Sequence, residues 1–419
     1  MTRLLCATMV CLVVIGSGGL SVDAQQGTEI PLSAVHNYLG IDAWHAAGHT
    51  GQAVRVGIID FGFGGIQDLN VAVTFPDDVD VSAMNSASLD HGTRVLEILH
   101  SVAPEARYFA FPLNPGGSNI IQAVDWMLAQ DIDILNYSTS TLYIPLDGTN
   151  FHAQQMGRLT AEDTLVVTSA GNYGASFLQD VFTDTDGDGF HEFDGGFGLM
   201  WAAPYSSAPF GEAHLRWQDV YTSAEIDLDL WVFAEDGETI LDAATSVQAG
   251  RSADWPHEDA LYAIQAGVPV YLAIRAKDPD TVPPNTRFFI YAPNTQIGVP
   301  TPEGSLTAPA DSPHVLAVGA IEPSETLWRG SSQGPTWDGR IKPDLVAPHR
   351  LTLPQTGSVF TGTSASTPLV SGAAALLRGA FPQLTEAEVR RWLLGQARDL
   401  GPPGPDNQYG YGRLWLPSP

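Results

Sequence analysis

The chain has 419 residues, 44% of them hydrophobic, so it can bury a large core and exceeds one domain of ordinary size. It carries 47 Asp and Glu against 19 Lys and Arg, a formal net charge of -28. A surface of that sign repels phosphate backbones and anionic lipid, which argues against nucleic-acid and membrane partners and suits a salty or calcium-containing exterior.

Arg3 precedes an apolar run over residues 4–15, and Val22-Asp23-Ala24 offers small side chains at the two positions a signal peptidase reads. Residues 1–24 therefore read as a secretory signal cut after Ala24, and the protein as extracellular. Both cysteines, Cys6 and Cys11, lie inside that segment, so the mature chain is expected to hold no disulfide. A lipoprotein anchor on Cys11 is the minor alternative, poorly matched by Thr8-Met9-Val10 before it. No later stretch is long and apolar enough to span a bilayer.

From about residue 40, short apolar runs alternate with helical spacing. Residues 54–59 are apolar on both faces, as a buried strand is. Residues 91–100 read as a helix with Val95, Leu96, Ile98 and Leu99 inward, residues 106–111 as a strand and residues 120–130 as an amphipathic helix. Residues 132–136, 164–168 and 315–318 are further strands. This alternation predicts an α/β fold, a parallel sheet covered by helices on both faces, with chemistry gathered at the carboxyl ends of its strands. Asp60, Asn136 and Ser169-Ala170-Gly171-Asn172 fall at such ends.

Between Thr183 and Ile297 the pattern changes, with nineteen acidic and five basic side chains. Ile226, Leu228, Leu230 and Val232 alternate with Asp227, Asp229 and Trp231, the period-two signature of a half-buried strand. Residues 214–217, 270–274 and 287–291 read likewise, parted by Gly, Pro and Asp turns. Residues 183–297 are thus read as an inserted antiparallel β-sandwich, leaving residues 25–182 and 298–419 as one discontinuous domain. At the entrance, Asp184-Thr185-Asp186-Gly187-Asp188-Gly189 sets oxygens on alternate residues with Gly sixth, like the front of an EF-hand loop. Position twelve is Gly195 and no flanking helices are evident, so the expectation is a structural Ca2+ loop of another kind, held by Asp184, Asp186, Asp188 and Glu192; a solvated acidic turn is the alternative. Asp227 and Asp229 read as strand carboxylates rather than a second site. Thr385 and Glu388 form a capping box before Val389, Trp392 and Leu393. No Cys/His cluster suggests zinc, no Gly-rich phosphate loop is present, and no organic cofactor is expected.

Three short signals carry the chemistry. Asp60 ends the first apolar run and is followed by Phe61-Gly62-Phe63-Gly64-Gly65; His91 opens His91-Gly92-Thr93; Ser364 lies within Gly362-Thr363-Ser364-Ala365-Ser366-Thr367-Pro368. An acid, an imidazole and a hydroxyl are the parts of an activated serine nucleophile. Residues 365–377 are small and apolar, as a buried helix would be, with Pro368 tolerable only in its first turn. Ser364 would then stand at a helix N-terminus, where free amides favour a developing anion. Taken singly, Ser364 reads equally as a helix cap, Asp60 as a turn former and Asn172 as part of a Gly-Asn turn.

Asp, His, Ser is the order of subtilisin. With the heptapeptide around Ser364 and the closing Gly410-Tyr411-Gly412, the chain resembles the subtilisin-like (subtilase) serine endopeptidases over roughly residues 40–180 and 300–415. The resemblance implies their three-layer fold, with Asp60, His91 and Ser364 as a proton relay and Asn172 joining the Ser364 amide as oxyanion donor. It further implies a polypeptide substrate lying extended along Ser138-Thr139-Ser140 and Ala170-Gly171. The chain departs from the family at Phe61, at Arg94-Val95-Leu96 after the histidine, and at Ser140, which stands where glycine is usual and narrows the cleft. The short stretch between Ala24 and the first strand leaves no room for a folding propeptide, so the chain is expected to fold unaided or with help from calcium and the insert, unless the gene start is misplaced. The expectation is a secreted, calcium-assisted, monomeric serine endopeptidase. The alternative is an inactive protease scaffold serving as an extracellular binding or adhesion module, which has no physical need for all four residues; an esterase or acyltransferase would use the same relay.

Overall fold

The computed structural model describes residues 28–79, 89–114, 117–142, 145–193, 195–204, 210–265 and 268–419. The signal segment, with Cys6, Cys11 and Ala24, lies outside them. Seven strands form one sheet in the order Leu345–Pro348, Val315–Ile321, Leu165–Ser169, Ile134–Tyr137, Arg55–Asp60, Arg107–Pro112 and Val73–Thr74, every neighbouring pair parallel. The near-continuous Val, Ile and Leu of the central strands follow from burial on both faces. Helices His91–Val102 and Thr363–Ala380 pack together on one face, over Val56, Ile58, Val167 and Val318. Helices Ile120–Ala129 and Phe151–Thr160 belong to the other, over Ile59, Leu135, Val166 and Val315. The protein is thus α/β with a large parallel sheet, and no described helix is long and apolar enough to cross a membrane.

Helix Thr363–Ala380 runs through the middle of the body and is buried from Thr363 to Leu377, which is why its residues are small and apolar all round. Beside it, Thr385 caps helix Glu386–Gln396 in the expected reciprocal box with Glu388. Arg390 on that helix donates to the carbonyls of His314 (2.8 Å) and Val315 (2.9 Å), and the buried Lys342 donates to Val315 (2.9 Å) and to Asp344 (2.5 Å). These two cations fix the start of strand Val315–Ile321.

The stretch between strands Leu165–Ser169 and Val315–Ile321 builds two antiparallel sheets. One has the order Ile240–Ala244, Leu228–Phe233, Val270–Ala276, Met200–Pro204, Thr295–Ile297; the other His257–Ala263, Phe210–Trp217, Arg287–Tyr291, Phe177–Val181. They enclose a separate core that includes Trp217, Leu230, Ile274 and Phe288. Burial of each such large side chain is worth about 1.5–3 kcal/mol. The strand Phe177–Val181 starts ahead of Thr183 and was not legible: Phe177 and Leu178 are both buried, because the outer face of this sheet leans on the parallel-sheet body, so the alternation that marks a half-exposed strand is missing. A small three-stranded sheet, Ile30–Pro31, Leu351–Thr352, Val359–Phe360, also went unread, its strands being only two residues each.

Candidate active site

Asp60 is the last residue of its strand, fully buried between strands Ile134–Tyr137 and Arg107–Pro112. Its carboxylate receives the His91 ring, with Nδ1 at 2.8 Å from Oδ1 and 2.9 Å from Oδ2, and Oδ1 also accepts the Phe61 amide at 2.8 Å. A carboxylate facing Nδ1 keeps the ring proton there and leaves Nε2 as the basic nitrogen. His91 is the first residue of its helix, docked by a Gly92 N–H···O bond to Gly62 (2.7 Å). Phe360, from the small sheet, meets the imidazole edge-on at 5.1 Å, and the Arg94 guanidinium lies 6.0 Å over that same phenyl ring. The departure at Arg94 thus builds a lid over one side of the ring. Asp90 sits at the cap position but caps nothing with its side chain; it pairs with Arg94 at 2.8 Å.

Ser364 is the second residue of helix Thr363–Ala380. Its hydroxyl donates to the Ser138 carbonyl at 2.9 Å, and the Ser138 hydroxyl donates back to the Ser364 carbonyl at 3.2 Å. This reciprocity explains Pro368, which lies in the second turn and not, as expected, in the first. A proline four residues on withdraws the N–H that the Ser364 carbonyl would accept. The Ser138 hydroxyl takes that role. It is itself held by Asn136 Nδ2 (2.9 Å), and Asn136 Oδ1 accepts the Ser371 hydroxyl (2.8 Å) from the same helix.

Asn172 lies exposed beyond the strand Leu165–Ser169, and its Oδ1 accepts both the backbone N–H and the hydroxyl of Thr363, each at 2.9 Å. That anchor leaves Nδ2, the donating end, beside the Gly362–Ser364 turn. Gly362 has φ of 86°, and a β-carbon there would come within 2.9 Å of Asn172 Nδ2. Gly171, at φ of 112°, is equally constrained: a β-carbon would meet the Ser332 hydroxyl at 2.7 Å. Only glycine serves at both positions. The site therefore brings Asp60 and His91 into contact, and ties Ser138, Asn172 and Ser364 to one helix terminus.

The other expected residues frame a cleft. Ser138, Thr139 and Ser140 follow strand Ile134–Tyr137, and Ala170 and Gly171 follow strand Leu165–Ser169. Between them runs the segment Leu306-Thr307-Ala308: Thr141 and Ala308 exchange two backbone bonds (2.9 and 3.0 Å), and Thr307 N donates to the Ala170 carbonyl at 3.4 Å. Thr307 and Phe360 were not identified as site residues, since each arrives by tertiary packing; Asn136 was noted for its strand-end position and given no role.

The acidic loop gathers three of its carboxylates. Ligand oxygens of Asp184, Asp186 and Asp188 all lie within 4.8 Å of one another. Glu192 does not join them: its carboxylate accepts the Thr185 amide (2.9 and 3.0 Å) and the Asp186 amide (3.3 Å), which holds its charge in the carboxylate form and its pKa below the usual value. Asp227 faces Lys277 at 3.9 Å, outside any such cluster among the described residues.

A family model described as "Subtilase family" matches residues 292–412. The chain is 37% identical over 132 residues to Bacillopeptidase F of Bacillus subtilis (strain 168), a stretch covering 29% of this chain and 9% of that protein. It is 29% identical over 146 residues to the Minor extracellular protease Epr of the same organism, covering 32% and 22%. The chain thus matches only a small part of these relatives' length. Among solved structures, the CspB protease of Clostridium perfringens superposes with a TM-score of 0.61 at 18% identity, covering 91% of this chain and 97% of that one. MycP1 without its N-terminal propeptide gives 0.51 at 18%, covering 92% and 95%. These likenesses agree in fold over about nine-tenths of the chain. Residues 292–412 thus match the subtilase family, and the fold is shared with these solved proteases.

Proposed function

We propose that this protein is a secreted serine endopeptidase. Ser364 Oγ attacks the peptide carbonyl, and His91 Nε2 takes its proton and then delivers it to the leaving amine. Asp60 keeps the imidazole oriented and balances its charge when protonated. The tetrahedral oxyanion is met by Asn172 Nδ2 and by the Ser364 amide, one of the unpaired donors of a helix's first turn. The acyl-enzyme is then released by water. Substrate is a polypeptide, laid extended between Ser138–Ser140 and Ala170–Gly171. The observation that carries this reading is the two-oxygen grip of buried Asp60 on His91 Nδ1 (2.8 and 2.9 Å), since a turn-forming aspartate has no reason to orient a ring. Ser364→Ala should lower peptide hydrolysis by at least about 10⁴-fold and abolish labelling by a fluorophosphonate. Proteolysis surviving in that variant overturns the assignment.

Secretion is supported by the leader-like residues 1–24 and by the likeness to an extracellular protease. A calcium ion fits the loop: Asp184, Asp186 and Asp188 present convergent, solvent-accessible carboxylate oxygens in a turn opened by Gly187 (φ 80°) and Gly189 (φ 90°). Calcium there would staple the entrance of the sandwich. Millimolar Ca2+ should raise the midpoint of thermal unfolding in wild type and not in Asp186→Asn; equal shifts in both proteins dispose of the site.

A further inference from the structure

We propose that the β-sandwich is a specificity element, setting the walls and floor of the pocket that receives the substrate side chain on the acyl side of the cut bond. The inference rests on the cleft assigned above. One wall, Ser138-Thr139-Ser140, continues to Leu142, whose carbonyl accepts Arg216 Nε from the sandwich at 3.2 Å. The other wall, Ala170-Gly171-Asn172, continues to Tyr173, whose ring meets Tyr291 of the sandwich edge-on at 5.2 Å. The floor between them includes Leu306, whose carbonyl accepts the Tyr291 hydroxyl at 3.2 Å. Arg216 and Tyr291 stand on adjacent strands, Tyr291 paired with His214 and Phe289 with Arg216, so one rigid face of one sheet holds all three segments.

Two further features say that this contact is built to be stiff. Tyr173, Phe177, Phe289 and Tyr291 are buried together, with Leu142 and Trp337 packed against them and Trp337 stacked on Phe289 at 4.7 Å. Arg216 is braced from behind: one terminal nitrogen donates to Asp259 at 2.6 Å, and that carboxylate also accepts His214 Nδ1 at 2.8 Å. The charges of Arg216 and His214 hold Asp259 far below the usual carboxylate range. A doubly paired guanidinium cannot swing, so its Nε presents a fixed donor to Leu142. A sandwich that merely hung from the body would need no aligned donor at one wall and another at the floor of the cleft. Discrimination between side chains depends on pocket walls held to fractions of an ångström, which is what this arrangement supplies.

Arg216→Met keeps the side chain's length and removes the donor; Tyr291→Phe removes one oxygen and guards against a failure of the first variant to fold. Each is assayed on peptides differing only in the residue before the cut, with fluorophosphonate labelling of Ser364 run in parallel. The ratio of kcat/KM between the best and worst residue at that position is expected to narrow roughly tenfold. Loss of folded protein alone scales every substrate equally and leaves the ratio where it was. Wild-type ratios in both labelled variants overturn the proposal and spare the catalytic reading. A wild-type Ser364 that takes no label overturns the reading itself and the proposal with it.

Discussion

The parallel-sheet body and the antiparallel sandwich differ in how most of their buried charges are partnered. In the body, several buried ionic groups are tied to a partner that uses the charge: Asp60 orients His91, Glu97 gathers the amides of Gln355 (2.6 Å) and Thr356 (3.0 Å), and Lys342 joins Asp344 to the Val315 carbonyl. Asp311 is the exception, meeting the Gly148 and Asn150 amides (both 2.7 Å) and pushed by burial up to about 6. In the sandwich, Glu258 is 3% exposed and meets the neutral amide of Gln248 (3.2 Å) and hydroxyl of Ser246 (3.3 Å). Burial pushes its carboxyl up to about 7. Asp229 is raised too, by burial and then by the neighbouring charge of Asp227. The contrast teaches that, Asp311 apart, the body uses its buried charges to hold loops and rings in place, whereas the sandwich buries Glu258 without a charged partner. Asp259, more exposed and paired with Arg216 and His214, keeps its charge, and it is the one that braces the cleft.

The sharpest way to break this division is at the body's own chemistry. Asn172→Ala should lower kcat by roughly 10²–10³, the scale of the equivalent donor in subtilisin, with KM and the preference among peptides little changed. Steady-state kinetics on a peptide series separates this from Arg216→Met, where preference is expected to move. An Asn172 variant with normal kcat would mean that the oxyanion is held elsewhere.

Next in size is the sandwich's acid. The folded protein keeps the Glu258 proton up to about pH 7, while the unfolded chain loses it near 4. Between those values the folded state binds more protons, so this residue's contribution to stability falls as pH rises across that window. Glu258→Gln keeps the shape and removes the titration; at pH 8 it should gain up to about 3 kcal/mol, shrinking toward zero at pH 4. Denaturant midpoints measured at both pH values in the Ser364→Ala background, which prevents self-digestion, check it. A gain that is the same at pH 4 and pH 8 shows that proton binding is not its cause.

How much of this was legible depended on the range of the interaction. Strands buried on both faces announce themselves, so residues 54–59 and 315–318 were found to within a few positions of Arg55–Asp60 and Val315–Ile321. In the sandwich, Leu228–Phe233 showed through its alternation, whereas Arg287–Tyr291, buried from Phe288 to Tyr291 and matched residue for residue, showed as an apolar run bounded by turns. Asp60, His91 and Ser364 were visible because each sits in a local motif. Phe360, Arg216 and Tyr291 were not, because their roles exist only once residues from distant parts of the chain meet. Glu192 lies apart from the Asp184, Asp186 and Asp188 oxygens, its own carboxylate turned to the Thr185 and Asp186 amides, which spacing alone does not reveal.

The smallest predicted effect tests how closely the nucleophile helix is fitted to the body. Ser138→Ala strips the Ser364 carbonyl of the hydroxyl that compensates for Pro368, and leaves Asn136 Nδ2 without its acceptor. A buried polar group so orphaned costs about 1–3 kcal/mol. Pro368→Ala returns a backbone N–H within reach of that same carbonyl. In wild type it should change little, because the position is already served. In the Ser138→Ala background it should recover about 1 kcal/mol. The double-mutant cycle, run by urea denaturation with Ser364→Ala throughout, reads that coupling directly. A coupling of zero would mean that the proline is accommodated without the Ser138 hydroxyl, and that the hydroxyl's place in the network is to hold Asn136 alone.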